Sequence, residues 1–371
     1  EFEAKTNYYQ DRLYLNNGKG DFLGSNGLPE ILSSGSCVVP ADYDQDGDMD
    51  LFVGGRVFPN HFPYPTPSYL LQNDNGQFQD IAMNTSFEVA MQGMVTSAVW
   101  DDIDGDGDED LITVGEWMPI KIFENQEGIF SDITAVYGLE NTVGWWNKII
   151  KSDYDGDGDI DFIVGNLGLN HKFHASSEQP FHVYCSDFDQ NGSFDIVLAE
   201  YYGEDQVPVR GRECSSEQMP FIAEKFSTYK AFSEANIDDI LGEKKQQSLH
   251  YEAQMFESII LERNGTGFSI RKLPSLAQVS PINGIVSADF NNDQIKDLLI
   301  AGNMYQTEAE TTRDDASIGL ILTGNGKDLD PMTTKQSGFF VPQDVKDVKR
   351  INIGKDNQVG ILVGVNDDSL R

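Results

Sequence analysis

Basic residues are scarce in this chain, and so are cysteine and histidine. Lys and Arg together number 26 against 61 Asp and Glu, a formal net charge of −35 over 371 residues. A polyanion would be repelled by such a surface, which argues against nucleic acid as a partner. Three cysteines, Cys37, Cys185 and Cys214, are too few for a disulfide framework; one bridge between Cys185 and Cys214 stands against free buried thiols. No apolar stretch is long enough to span a membrane. Gly-x-Ser-x-Gly, His-Glu-x-x-His and phosphate-binding loops are missing too, which removes the most recognisable hydrolase, metalloprotease and nucleotide-binding signatures.

What the chain has in abundance is one acidic nonapeptide, Asp-x-Asp-x-Asp-Gly-Asp-x-Asp. Full copies are Asp42, Asp44, Asp46, Gly47, Asp48, Asp50; Asp102, Asp104, Asp106, Gly107, Asp108, Asp110; and Asp153, Asp155, Asp157, Gly158, Asp159, Asp161. Weaker copies are Asp187, Asp189, Asn191, Gly192, Asp195 and Asp289, Asn291, Asp293, Asp297, the last with Gln294 in place of the glycine. Carboxylates at positions 1, 3, 5 and 9 converge when the chain curls, and glycine at position 6 permits the turn. Like charges held so close repel by about 4 kcal/mol per pair at an effective dielectric of 20, so a cation is required. An all-oxygen set suits Ca²⁺ better than Zn²⁺, with the position 7 carbonyl of Asp48, Asp108, Asp159, Ser193 or Ile295 as a further ligand. Up to five Ca²⁺ are expected, which would bring the net charge to about −25.

An EF-hand would need a bidentate Glu at position 12 and a following helix. Position 12 is instead Val53, Thr113, Val164, Leu198 and Ile300, within β-rich runs of strand length. The loop therefore joins two strands. A second motif alternates with it, an apolar strand, a Gly-containing turn and an aromatic-led strand, as at Leu13 to Phe22, Tyr69 to Phe78, Lys121 to Phe130, Ile259 to Phe268 and Leu320 to Gly326. Strand, acidic loop, strand and hairpin make a four-stranded unit recurring every 40 to 60 residues or so, the mark of a β-propeller.

The expected fold is all-β, a single propeller domain over residues 1–371 with six blades, seven as the alternative. The N-terminal hairpin and the strands Val348 to Ile353 and Val359 to Val365 would form one closing blade. Loop starts at Asp153 and Asp187 leave a short third blade and a long fourth interval. That interval holds an insertion at 203–255, read as two or three short helices with start signals at Ser227-Thr228 and Ser233-Glu234.

The loops resemble FG-GAP or VCBS repeats, the calcium-bearing blades of integrin-α-like propellers. The stretch Pro208-Val209-Arg210-Gly211-Arg212-Glu213-Cys214, followed later by Asp314-Asp315-Ala316-Ser317-Ile318-Gly319 and Ser337-Gly338-Phe339-Phe340-Val341-Pro342, resembles the C-terminal propeller of bacterial proteins of the cartilage acidic protein/UnbV group. That resemblance implies the fold, calcium at the matching positions, and an exported chain at the cell surface or in the periplasm. It also implies a setting within a larger outer-membrane assembly. A chain opening on Glu1 leaves room for a removed signal peptide, lipid anchor or further domain. The resemblance supplies no activity.

With the acidic loops on one face, ligand contacts are expected on the other. Arg56, Glu116, Trp117, Trp145, Trp146, Asn166, His171, Tyr201 and Asn303 fall there, with Arg210 and Arg212 reaching over as anion contacts or pairing with acids. Such a rim would stack on a glycan or grip a protein, and packing between blades is the competing role, favoured for Trp146. His171 and His174, with Glu116 or Glu200, are the weak catalytic candidates. The expected function is a binding or scaffold module for glycan or protein; the alternative is a polysaccharide lyase or hydrolase on the same propeller.

Overall fold

The computed structural model describes residues 4–307, 310–354 and 358–371. Alternating apolar positions give antiparallel strands throughout, with the acidic loops as their turns. The N-terminal hairpin pairs β1 (Leu13–Asn16) with β2 (Phe22–Ser25). The first four-stranded sheet runs in chain order through β3 (Gly35–Ala41), β4 (Asp50–Gly55), β5 (Tyr69–Asp74) and β6 (Gln77–Asp80). The second repeats that order with β7 (Met94–Asp101), β8 (Asp110–Met118), β9 (Lys121–Gln126) and β10 (Ile129–Asp132), and the two-residue β11 (Gly144–Trp145) adds to β8. In each, the acidic loop joins the first two strands and the hairpin supplies the last two.

The third sheet departs from the expected order. It starts with β12 (Lys148–Ser152) and β13 (Asp161–Gly165), and the chain then leaves it. A separate sheet follows, built from β14 (Phe181–Ser186), β15 (Asp195–Tyr202), β16 (Asp205–Pro208) and β17 (Leu249–Ala253) in the order β16-β15-β14-β17. Only afterwards do β18 (Ile259–Asn264) and β19 (Gly267–Lys272) complete the third sheet, with β18 pairing β13. The short third blade is thus a full blade interrupted between its second and third strands. The hairpin at Ile259 belongs to the Asp153 loop and not to the Asp187 loop. The sheet bearing the Asp187 loop has its first strand in an interior position, unlike the others. The described residues thus form five sheets of four or five strands and two strand pairs, which by themselves do not fix the blade count expected as six.

A further regular sheet comprises β20 (Gly284–Ala288), β21 (Asp297–Ala301), β22 (Leu320–Gly324) and β23 (Leu329–Met332), followed by the pair β24 (Val345–Ile353) and β25 (Gln358–Val365). First strands lie side by side in sequence order, β3 against β7, β7 against β12, β12 against β20, and β20 against β24. Apolar side chains fill each gap: Phe52, Trp100 and Phe123 in the first, Ile122, Trp146 and Phe162 in the second, Ile163, Ile260 and Leu298 in the third. Burying such layers is the main stabilising term, about 1.5–3 kcal/mol per large side chain. The expected closing blade is not one sheet among the described residues: β1–β2 and β24–β25 remain separate pairs. The turn expected at 354–357 lies, for Lys355, Asp356 and Asn357, outside the described residues.

The helical part of the insertion has four short helices, Arg212–Gln218, Phe221–Lys225, Tyr229–Ser233 and Ile237–Leu241, then a 3-10 turn at Gly242–Gln247. Thr228 caps one as its sequence suggests, its hydroxyl accepting from the Ala231 N–H. The next start is not at Ser233-Glu234: Asn236 and Asp239 form the capping box instead. These helices cover one face of the inserted sheet, burying Tyr184, Val197 and Ala199 against Met219, Ile222 and Ile240. All three cysteines are free, so the Cys185 to Cys214 bridge does not form.

Candidate metal centres and the covered face

Each acidic loop turns twice through left-handed backbone. Position 6 does so as expected, at φ 97° for Gly47, 98° for Gly107 and 98° for Gly158. Position 4 does so as well, at Gln45, Gly105, Gly156, Gln190 and Asn292. Side-chain oxygens of the loop catch its own N–H groups. Asp42 Oδ2 accepts from Gly47 at 3.1 Å, Asp102 Oδ2 from Gly107 at 3.1 Å, Asp187 Oδ2 from Gly192 at 2.9 Å and Asp289 Oδ2 from Gln294 at 2.9 Å. The curl brings carboxylates together in four loops: Asp42, Asp44 and Asp50; Asp102, Asp104 and Asp110; Asp153, Asp155 and Asp157; Asp187, Asp189 and Asp195. Asp289, Asp293 and Asp297 make no such group among the described residues.

Position 9 has a second task that its place in the motif does not reveal. Asp50, Asp110, Asp161 and Asp297 are buried, and one oxygen of each accepts an N–H from the third strand of its sheet, at Asn73, Asn125, Arg263 and Gly324. Position 7 contributes its side chain elsewhere too: Asp48 and Asp108 accept from Asn75 and Glu127 in the hairpin turns. Those side chains face the hairpin turns.

Burial, reinforced by neighbouring carboxylates, pushes Asp50 up to about 6 and Asp110 and Asp161 up to about 7. Asp42 Oδ1, Asp50 Oδ2 and Asp161 Oδ2 are buried without a hydrogen-bond partner. Orphaned, mutually repelling oxygens are what a hard cation would satisfy, so the four converging groups fit a metal of the calcium class.

On the opposite face the expected open rim is filled. The inserted sheet turns its second face onto it, and Phe181, Val183 and Ala253 pack with Met94, Trp117, Leu167, Phe173 and Phe256. Trp117 stacks on Phe181 at 5.7 Å and lies 5.4 Å from Trp145, which stacks in turn on Phe173. Trp146 is fully buried and its indole donates to the Thr142 carbonyl, the packing role favoured for it. Asn166 and Asn303 are also fully buried. Asn166 donates to the Met255 and Glu257 carbonyls and accepts from Trp145 and Leu167. Asn303 donates to Ser317, Pro342 and Gln343 and accepts from Ser280 and Ser317. Neither amide has capacity left for a ligand.

Arg56, half exposed, pairs with the buried Glu116 carboxylate. His171 is buried beside Asp314 with Nε2 at 2.9 Å; its Nδ1 accepts the Phe173 N–H, so Nε2 carries the proton. His174 is exposed and leans toward Glu200 at 3.7 Å. The two histidines therefore point to different partners and do not form the catalytic or metal pair considered from their spacing. Arg210 donates to Gln218 and Arg212 to the Phe226 and Ala223 carbonyls, both inside the helical insertion; neither of these bonds is to an acid. Tyr201 is half-buried on the inserted sheet, its ring 5.7 Å from His182. That last residue was invisible in the sequence. His182 and His250 sit 68 positions apart, and only strand pairing brings His182 Nδ1 within 2.9 Å of His250 Nε2.

The fold and loops thus define an all-β protein of four-stranded sheets with acidic, metal-competent turns. Residues 4–53 and 102–164 match the FG-GAP-like repeat family. No curated protein matches it. Among solved structures it is similar to an Agrocybe aegerita lectin that recognises non-reducing terminal N-acetylglucosamine, at 14% identity over 89% of this chain and 75% of that one, with a TM-score of 0.34. It is also similar to the V. cholerae biofilm matrix protein Bap1, at 9% identity over 94% and 69%, with a TM-score of 0.33. Likeness at that level carries no argument about function. No helix among the described residues is long and apolar enough to cross a membrane.

Proposed function

We propose that this protein is an exported, calcium-stabilised β-propeller that acts as a binding module, with a protein partner docking on the face opposite the acidic loops. Asp42, Asp44 and Asp50, and the converging carboxylates of the next three loops, hold the ions and fix the strand turns. Millimolar sites of this kind suit the cell surface or periplasm.

The observation that carries the binding role is an apolar groove of about 460 Å³ between the 3-10 turn at Ser275–Gln278 and the ends of β22 and β23, lined by Asn170, Leu276, Val279, Ile318, Leu320 and Met332. Leu276 is 57% exposed and Ile318 42%, in segments that carry no acidic loop. Side chains of this type favour a protein surface over a glycan, whose usual stacking aromatics are here packed inside. The test compares retention of purified protein on calcium-washed cell envelopes with that of Leu276→Glu and Ile318→Glu. Retention should fall at least about tenfold for both variants, the equivalent of about 1.4 kcal/mol. Equal retention, or release by free sugars alone, would overturn the assignment of this groove to a protein.

A further inference from the structure

Besides the oxygen-lined loops, one cluster of a different chemistry stands on the helix-bearing face of the inserted sheet. His182 on β14 lies directly opposite Glu252 on β17, and Tyr184 lies opposite His250. The alternation of side chains therefore puts both imidazoles and the carboxylate on one face of two hydrogen-bonded strands. His182 Nδ1 is 2.9 Å from His250 Nε2 and 4.0 Å from a Glu252 oxygen, and the three ligand atoms share one small volume.

From this geometry we infer that His182, His250 and Glu252 form a transition-metal site of the zinc class, separate from the calcium loops. Two nitrogens and one carboxylate are a borderline-soft set that the all-oxygen loops do not offer. In a tetrahedral site with bonds of about 2.0–2.1 Å, ligand atoms stand about 3.3 Å apart. The imidazole pair needs to open by only a few tenths of an ångström. Glu252 is 43% exposed at its side chain, so it is free to swing in from 4.0 Å. His182 is 4% exposed, so its Nδ1 is held facing His250 by the packing around it. Lys245 is the nearby opposing charge, and Asp238 holds it at 2.8 Å. Three protein donors leave a fourth position for water. A bound ion would clip β17 to β14 across the helical segment and secure the sheet that covers the propeller face.

The test is Zn²⁺ titration of the whole chain by calorimetry in excess Ca²⁺, which occupies the loops, with Co²⁺ absorption as a second probe. One saturable Zn²⁺ equivalent and intense tetrahedral Co²⁺ bands are expected. His250→Ala, at an exposed position, and Glu252→Gln should each weaken binding at least about tenfold with unchanged circular dichroism. His182→Ala should abolish it, but at a buried site it also risks the fold, so the first two variants decide. No saturable uptake, or uptake unchanged in both of those variants, would overturn the site and leave a plain hydrogen-bonded histidine pair.

Discussion

The backbone N–H of Arg263 donates to Asp161 Oδ1 at 2.8 Å, across 102 residues. The last carboxylate of the third loop thereby holds a hairpin that returns only after a whole inserted sheet. Asp50, Asp110 and Asp297 make the same bond over far shorter separations, to Asn73, Asn125 and Gly324. In Asp110 and Asp297 the other oxygen accepts from the loop itself, at Ile103 and Phe290. Position 9 is therefore a staple between turn and sheet, and in the first, second and fourth loops it also converges with positions 1 and 3.

Asp161→Ala and Asp110→Ala should consequently destabilise the protein even without metal, by about 2–4 kcal/mol, because buried N–H groups lose their acceptor. Asp155→Ala should cost stability only when calcium is present, since in chelator it removes repulsion from Asp153 and Asp157. Urea unfolding of the three variants in calcium and in chelator separates the two roles. Matching losses for Asp155→Ala and Asp161→Ala in chelator would eliminate the staple.

The fifth loop should behave differently. Its backbone follows the same path, with Gln294 at φ 73° where the others have glycine, yet its carboxylates do not converge. Mass spectrometry under native conditions is expected to count four tightly held calcium ions, and Asp293→Ala to lower the melting temperature less than Asp104→Ala. Gln294→Gly should stabilise by about 1 kcal/mol by removing a side chain from left-handed backbone. A stabilisation absent from the denaturation midpoint would mean that the Gln294 side chain contributes packing of its own.

Much of this architecture was legible in the sequence because its signals are local. The loops, their following strands and the hairpins at Tyr69 and Lys121 each lie within a single short window, where period and turn chemistry speak directly. What escaped depends on long-range pairing. Nothing near Asp161 says that its hairpin lies at Ile259, and nothing near Trp117 says that Phe181 will cover it. The left-handed position 4 was masked because Gln45, Gln190 and Asn292 occupy it in three of five loops. The His182–His250 pair escaped for the same reason as the hairpin: its members meet only across β14 and β17.

Protons and calcium should compete at the buried loop carboxylates. Without metal, Asp50 is raised to about 6 and Asp110 and Asp161 to about 7, chiefly by burial. A carboxyl whose folded value lies above its unfolded value near 4 stabilises the fold while protonated, and that contribution disappears as pH rises through the folded value. The apo protein should thus lose this contribution between pH 4 and 7, whereas the calcium form should not. The gain in melting temperature on adding calcium is expected to grow from pH 5 to pH 8 and level off above it. Scanning calorimetry at matched ionic strength measures this directly, and a gain independent of pH would show that these carboxyls are already ionised in the apo fold.

Asn166 offers the sharpest test of how the inserted sheet is held. Its side chain ties the end of β13 to the start of β18 by donating to Met255 and Glu257, and its backbone N–H donates to the Ser258 hydroxyl, 92 residues away. Asn166→Ala would strand two half-buried carbonyls and remove the acceptor shared by Trp145 and Leu167, a loss of about 2–4 kcal/mol. Because these bonds sit at both exits of the insertion, the effect should be local. Hydrogen exchange is expected to quicken in β14, β17 and the Trp117–Phe181 contact while β4, β5 and β21 keep their protection. Trp117 fluorescence should shift toward that of exposed indole as the cover loosens. Uniform loss of protection across all sheets would instead mean that the insertion and the blades unfold as one unit.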